Sequence, residues 1–323
     1  MEEIKITDIA NIKIGHAQDK EAATGCTVII CEEGATAGVD VRGSAAASRE
    51  LALLDPLNSG DKVHAIMLSG GSAFGLDSAA GVMQYLENKG IGFDVAVTVV
   101  PIVPTACLFD LVVGDHKVRP DKAMGYEACE NAQITVEVEE GNVGAGTGAS
   151  VGKFLGIDRA MKGGLGTYAV QVGDIKIGAV VAVNALGDIF DVDTGEVLAG
   201  ILTEDKNTVA NSIEIMCDEI DKERNIFAGN TTIGCLITNV KATKSEANKL
   251  AVMAQNGFIR AIRPINTSVD GDTAFAMCTG EVEGALDAVG SIGSYVMAKA
   301  INEAIKKSKT AYGLKGYEEF AKK

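Results

Sequence analysis

The run Gly229-Asn230-Thr231-Thr232-Ile233-Gly234-Cys235-Leu236-Ile237-Thr238-Asn239 puts a hydroxyl side chain at the head of an apolar, β-prone segment, after a polar and acidic stretch over 203–224. A Thr at the first position of a strand is where a self-processing hydrolase would keep its nucleophile. Its hydroxyl can attack the carbonyl of Asn230, pass through an ester and leave Thr231 as a new chain start. The freed α-amine then sits a few atoms from its own Oγ1. Because α-amines titrate near pH ~8, such a base needs little tuning at neutral pH. The plainer reading of the same residues is a turn followed by a β-branched strand.

Other chemistries find less support. The chain holds 3 His, at 16, 64 and 116. A nucleophile elbow is missed at its last position in Gly70-Gly71-Ser72-Ala73-Phe74. A His-dependent serine hydrolase is therefore disfavoured, which strengthens chemistry based on a terminal amine. The 7 Cys are scattered without a Cys-x-x-Cys or a close Cys/His pairing, so neither zinc nor a disulfide framework is expected, and the thiols read as reduced and buried. Gly is abundant, 38 residues against 5 Pro. A Walker loop ending at Gly152-Lys153 fails, with Thr147 where Gly should be and Phe154 where Ser or Thr should hold magnesium. A dinucleotide fingerprint can be drawn through Gly144, Gly146 and Ala149, but Gly152 and Gly156 interrupt the helix it needs. No cofactor is called for. The Gly clusters read as tight turns and close backbone packing.

The elements that must position Thr231 follow from periodicity. Strands are expected at 26–31, 64–68, 134–138, 176–183, 232–238 and 273–278, and helices at 44–54, 72–89, 119–131, 244–262 and 284–307. Thr243 with Glu246 reads as a capping box, and Lys306-Lys307 close the last long helix with the favoured charge. Strands and long helices intermingle without a strict βαβ rhythm, which indicates a layered α/β (α+β) sandwich. A chain of 323 residues suits one large or two ordinary domains. The segment 203–229 is the one clear linker, as an exposed processing segment would be. A formal charge of −15 argues against nucleic-acid or anionic-membrane partners. The opening Met1-Glu2-Glu3-Ile4-Lys5 lacks the build of a signal peptide and no apolar run is long enough to span a bilayer, so a cytoplasmic location is expected.

An ordered series of phrases carries more information than any single motif. It runs Gly43-Ser44-Ala45, Leu68-Ser69-Gly70-Gly71-Ser72-Ala73-Phe74-Gly75-Leu76, Val118-Arg119-Pro120-Asp121 and Met124-Gly125-Tyr126-Glu127-Ala128. Gly141-Asn142-Val143-Gly144-Ala145-Gly146-Thr147-Gly148-Ala149, Lys162-Gly163-Gly164-Leu165-Gly166-Thr167, Val181-Ala182-Val183-Asn184-Ala185, Asn230-Thr231-Thr232 and Asp270-Gly271-Asp272-Thr273 follow. Together, from about Ile6 to the C-terminal helix, they resemble the DmpA-like aminopeptidases, which include L-aminopeptidase/D-esterases and β-peptidyl aminopeptidases.

The resemblance implies an αββα sandwich like that of N-terminal-nucleophile hydrolases, in one catalytic domain over 1–323. It also implies cleavage between Asn230 and Thr231 into 1–230 and 231–323, which stay together. Thr231 stands where relatives often carry Ser, and its methyl stiffens χ1. Asn184 takes the role of an oxyanion donor, Tyr126 assists it, and Asp272, with Asp270 as the weaker transfer, holds and tunes the terminal amine. A carboxylate raises the pKa of a neighbouring ammonium, so at least one Asp orients rather than deprotonates. Each has a plain structural alternative: a strand-ending turn for Asn184, a half-buried helix aromatic for Tyr126, an Asp-Gly turn for the pair. Asn142 and residues 144–148 are candidates for lining the pocket. The expected reaction is hydrolysis of a small peptide, amide or ester with a free amino end, by a homo-oligomer. The alternatives are a self-cleaving acyltransferase of similar architecture and an unprocessed, non-catalytic scaffold.

Overall fold

Alternating burial along the strands sets the layers. In the segment Ile233–Val240, Ile233, Cys235 and Ile237 face one core while Leu236 faces another, the two-residue period of a strand covered on both faces. The computed structural model describes residues 1–221 and 229–321. Ten strands form the main sheet system: β1 (Glu2–Ile4), β2 (Lys13–Asp19), β3 (Thr24–Val41), β4 (Ala47–Arg49), β5 (Val63–Ser69), β6 (Thr105–Cys107), β7 (Gly164–Val172), β8 (Ile175–Val183), β9 (Ile233–Val240) and β10 (Thr273–Val282). Their order is β1-β7-β8-β9-β10-β3-β5-β6-β4, with β2 on the other edge of β3.

The 18-residue β3 belongs to two sheets. Its first half pairs with β2 and β5, and its second half with β10. The two sheets therefore fold over one another around an inner core that includes Ile14, Ile29, Ile66, Leu68, Val180, Phe275 and Met277. Outside them lie two helix pairs. The helices α1 (Ser78–Asn88) and α2 (Lys122–Ile134) cover β2, β3 and β5 through Val82, Leu86 and Cys129, while α3 (Lys244–Ala261) and α4 (Leu286–Lys306) cover β8 to β10 through Leu250, Phe258, Met297 and Ile301. This is the expected αββα sandwich. Burial of each such side chain contributes about 1.5–3 kcal/mol.

Close approach explains much of the Gly. A Cβ on Gly15 would lie 2.1 Å from the Ala128 carbonyl oxygen in α2, and one on Gly166 2.2 Å from that of Ala300 in α4, so these strands meet their helices backbone to backbone. The capping box at α3 is present, with Thr243 and Glu246 satisfying each other's backbone N–H.

Two expected elements are replaced. Residues 44–54 form no α-helix: β4 pairs with β6, and Leu51–Leu54 is a 3-10 turn, because sheet pairing outweighs local propensity. The expected strand at 134–138 is absent. The helix α2 runs to Ile134, and Ile134 and Val136 are 78% and 82% exposed, so the β-prone alternation has no core to face. The expected linker contains a short helix, Ser212–Asp218, capped by Asn211. Residues 222–228 of it lie outside the described residues. Among the described residues no helix is long and apolar enough to cross a membrane.

Candidate active site

Three strand ends converge on Thr231. The strands β9 and β10 run parallel with Ile233 beside Thr273. Two residues back, this register brings Thr231 to Gly271, and an isolated bridge continues it to Asn230 and Asp270. The strand β8 is antiparallel to β9 with Ala182 beside Ile233, so Asn184, two residues on, arrives at Thr231 from the other side. The Thr231 N–H donates to the Asn184 carbonyl at 2.8 Å. Asn184, Asn230, Thr231, Asp270 and Asp272 are each at most 5% exposed.

Two donors meet on one carbonyl. Thr231 Oγ1 lies 2.5 Å from the Asn230 carbonyl oxygen, which also accepts from the Gly271 N–H at 3.1 Å. The neighbouring carbonyl, of Gly229, is held by Lys153 Nζ at 2.6 Å and Asn184 Nδ2 at 3.1 Å. The amide of Asn184 is fixed at both ends: Nδ2 also donates to the Phe109 carbonyl, while Oδ1 accepts from Ser150 N–H at 3.0 Å and Lys153 Nζ at 2.8 Å. This network sets which way the amide points.

The two carboxylates shape the opposite wall. Asp272 accepts from Thr232 N–H at 2.6 Å and Asn266 N–H at 3.0 Å, and Asp270 from Thr267 N–H at 2.6 Å. Burial, then the charge of Asp270, pushes the Asp272 carboxyl up to about 7, and burial raises Asp270 as well. Burial drives the Lys153 ammonium down to about 7, against the pull of Asp270, Asp110 and Asp272. Burial thus brings the Asp272 carboxyl and the Lys153 ammonium toward each other's range, as at sites where protons are exchanged.

Of the expected site residues, the structure brings together Asn184, Asn230, Thr231, Asp270 and Asp272. Tyr126 stands elsewhere. It lies on α2 in the outer helical layer, its ring edge-on to Tyr85 at 5.3 Å and its hydroxyl 3.5 Å from Asn88 Nδ2. Asn142 pairs with the backbone of Lys309, and Gly148 packs on Asp110 and the Ala23 carbonyl. Lys153 and Gly271 were not singled out by sequence as site residues. The Gly152-Lys153 pair reads as a failed phosphate loop, and Gly271 as the middle of a turn. Among the described residues no group of three His, Cys, Asp or Glu side chains is arranged to hold a metal ion.

Comparison with known proteins finds relatives that match most of the chain. An uncharacterised aminopeptidase of Mycobacterium leprae is 37% identical over 97% of this chain and 92% of its own. A 6-aminohexanoate-oligomer endohydrolase of Kocuria is 34% identical over 93% of this chain and 85% of its own. The L-aminopeptidase D-Ala-esterase/amidase of Ochrobactrum anthropi, described as a variant of the Ntn hydrolase fold, superposes with a TM-score of 0.70 at 17% identity, over 95% of this chain and 88% of that one. The profile of peptidase family S58 matches residues 5–318, and the chain belongs to that family of hydrolases.

Proposed function

We propose that this hydrolase cleaves its own chain between Asn230 and Thr231, into 1–230 and 231–323, and then acts as an aminopeptidase with Thr231 as nucleophile. The observation that carries the reading is the meeting of Thr231 Oγ1 and the Gly271 N–H on the Asn230 carbonyl oxygen. In the first reaction Oγ1 bonds to the Asn230 carbonyl carbon. The C–N bond to Thr231 breaks, the hydroxyl proton passes to the departing nitrogen, and water hydrolyses the ester. The Gly271 N–H stands where the oxyanion forms, a position worth roughly 3–4 kcal/mol per donor in acyl transfer.

In the second reaction the α-amine of Thr231, held at the Asn184 carbonyl, takes the proton from Oγ1 as the hydroxyl attacks a substrate carbonyl. Asn184 Nδ2 and Lys153 Nζ, already aimed at one carbonyl oxygen, supply donors for the substrate oxyanion. Asp272, through the Thr232 N–H, holds the nucleophile's own strand. The acyl-enzyme is released to water, and the substrate is a small peptide, amide or ester with a free amino end.

The test is the denatured intact mass of the purified protein beside Thr231→Ala. Fragments 1–230 and 231–323 in the wild type, absent in the variant, are expected. A single full-length species in both, with no hydrolysis of aminoacyl amides, overturns the reading.

A second reading concerns the substrate. Several relatives 34% identical over more than nine-tenths of this chain are named 6-aminohexanoate-oligomer endohydrolases. Internal cleavage of an oligoamide with a blocked amino end would favour that activity over the aminopeptidase.

A further inference from the structure

Beneath the site lies a lysine that the mechanism does not use. Lys162 is fully buried. Its ammonium donates to the carbonyls of Gly146 at 2.8 Å, Ala149 at 2.8 Å and Gly163 at 3.1 Å. Burying an ammonium is costly, and a Met of similar length would fill the space without that cost. Removing the ammonium would instead take one donor from each of three buried carbonyls.

What the three bonds hold is informative. Gly146 and Ala149 begin and end the turn that leads into Ser150. Ser150–Val151 pairs antiparallel with Met161–Lys162, Lys162 directly beside Ser150. The Ala149 carbonyl is held a second time, by the Gly163 N–H at 2.9 Å. The Ser150 N–H, the first group after this clamp, donates to Asn184 Oδ1. Three residues further, Lys153 is docked by its own N–H on the Leu186 carbonyl at 3.0 Å and reaches Asn184 and Gly229. The clamped Ala149 carbonyl and the Ser150 N–H that orients the Asn184 amide therefore belong to one planar peptide group.

We propose that Lys162 is a positioning residue for the hydrolytic reaction, acting by clamping the Gly146–Ala149 turn so that Ser150 locks the Asn184 amide with its N–H₂ toward the substrate carbonyl. It touches no reacting atom. The inference rests on Thr231 and Asn184 acting as described above. Those roles are tested first, on the wild type and Thr231→Ala, so the two readings fail separately.

The experiment is a double-mutant cycle on aminoacyl-amide hydrolysis, using self-cleaved protein of Lys162→Met, Asn184→Ala and the pair. A positioning role predicts kcat about 30-fold lower in Lys162→Met with KM changed less than about threefold. On the Asn184→Ala background the same substitution should cost less than about threefold, because its target is already gone. Equal losses on both backgrounds, or wild-type kcat in Lys162→Met, overturn the proposal. If Lys162→Met does not fold, Lys162→Gln keeps an amide donor for one carbonyl and enters the same cycle. Failure of both to fold assigns Lys162 to stability alone and overturns the proposal too.

Discussion

A methyl group built on Gly271 would lie 2.8 Å from Thr231 Oγ1 and 3.0 Å from the Ala45 carbonyl oxygen. The hydroxyl and the loop over it leave no room for a side chain at this position. Gly271→Ala should therefore fold yet displace the hydroxyl from the Asn230 carbonyl, slowing self-cleavage by about 100-fold or more, as a small misplacement of reacting groups does. Intact mass followed over hours after purification would show it, and fragments appearing at the wild-type rate would refute it.

The titration of the cluster predicts a narrow pH optimum. The Asp272 carboxyl becomes a carboxylate as pH rises through about 7, and the Lys153 ammonium loses its proton as pH rises through about 7. A reaction needing both charges and the neutral α-amine has an acid limb from the carboxyl and the amine and an alkaline limb from the ammonium, so kcat/KM should be bell-shaped with a maximum near pH ~7–8. Lys153→Arg, whose guanidinium keeps its proton, should flatten the alkaline limb in whatever activity it retains. A wild-type profile still level at pH ~9 would contradict this.

Asn184→Ala removes a donor to the substrate oxyanion, takes the side-chain acceptor from the Ser150 N–H and removes one of the three acceptors of Lys153. Hydrolysis should fall by about 10²–10³, and urea unfolding should report a loss of about 1–3 kcal/mol. An activity within about threefold of wild type would remove Asn184 from the mechanism.

Tyr126→Phe tests the residue that resemblance suggested and the fold places apart. With its hydroxyl 3.5 Å from Asn88 on the outer helical layer, its loss should leave kcat within about twofold, as for surface changes away from a site. A loss of about 100-fold would return Tyr126 to the reaction.

The sequence made the layers legible because the strands covered on both faces read as apolar runs and the long helices carry caps and periodicity. Thr231 and Asp272 were legible from the strand starts they precede, and Asn184 from the strand end it follows. Lys153 and Lys162 were not. Lys153 meets acceptors 31 and 76 residues away and Lys162 folds back on carbonyls 13 and 16 residues before it, and nothing local marks a lysine for burial. Gly271 is legible only as a turn, since its importance lies in what approaches it. Tyr126 shows the complementary difficulty. Helical spacing places it on α2, but spacing does not say which layer of a four-layer sandwich that helix joins.

The placement of β9 and β10 has a consequence for any break at residue 230. Both strands follow the break, yet β8 flanks them on one side and the second half of β3 on the other. The two pieces would be woven into one sheet, neither of them a folding unit alone. A nick there would pass unseen through a sizing column, and only denaturation would part the fragments. Supplied as two separate polypeptides, 1–230 and 231–323 would have to find one another while folding, as the halves of a split protein do.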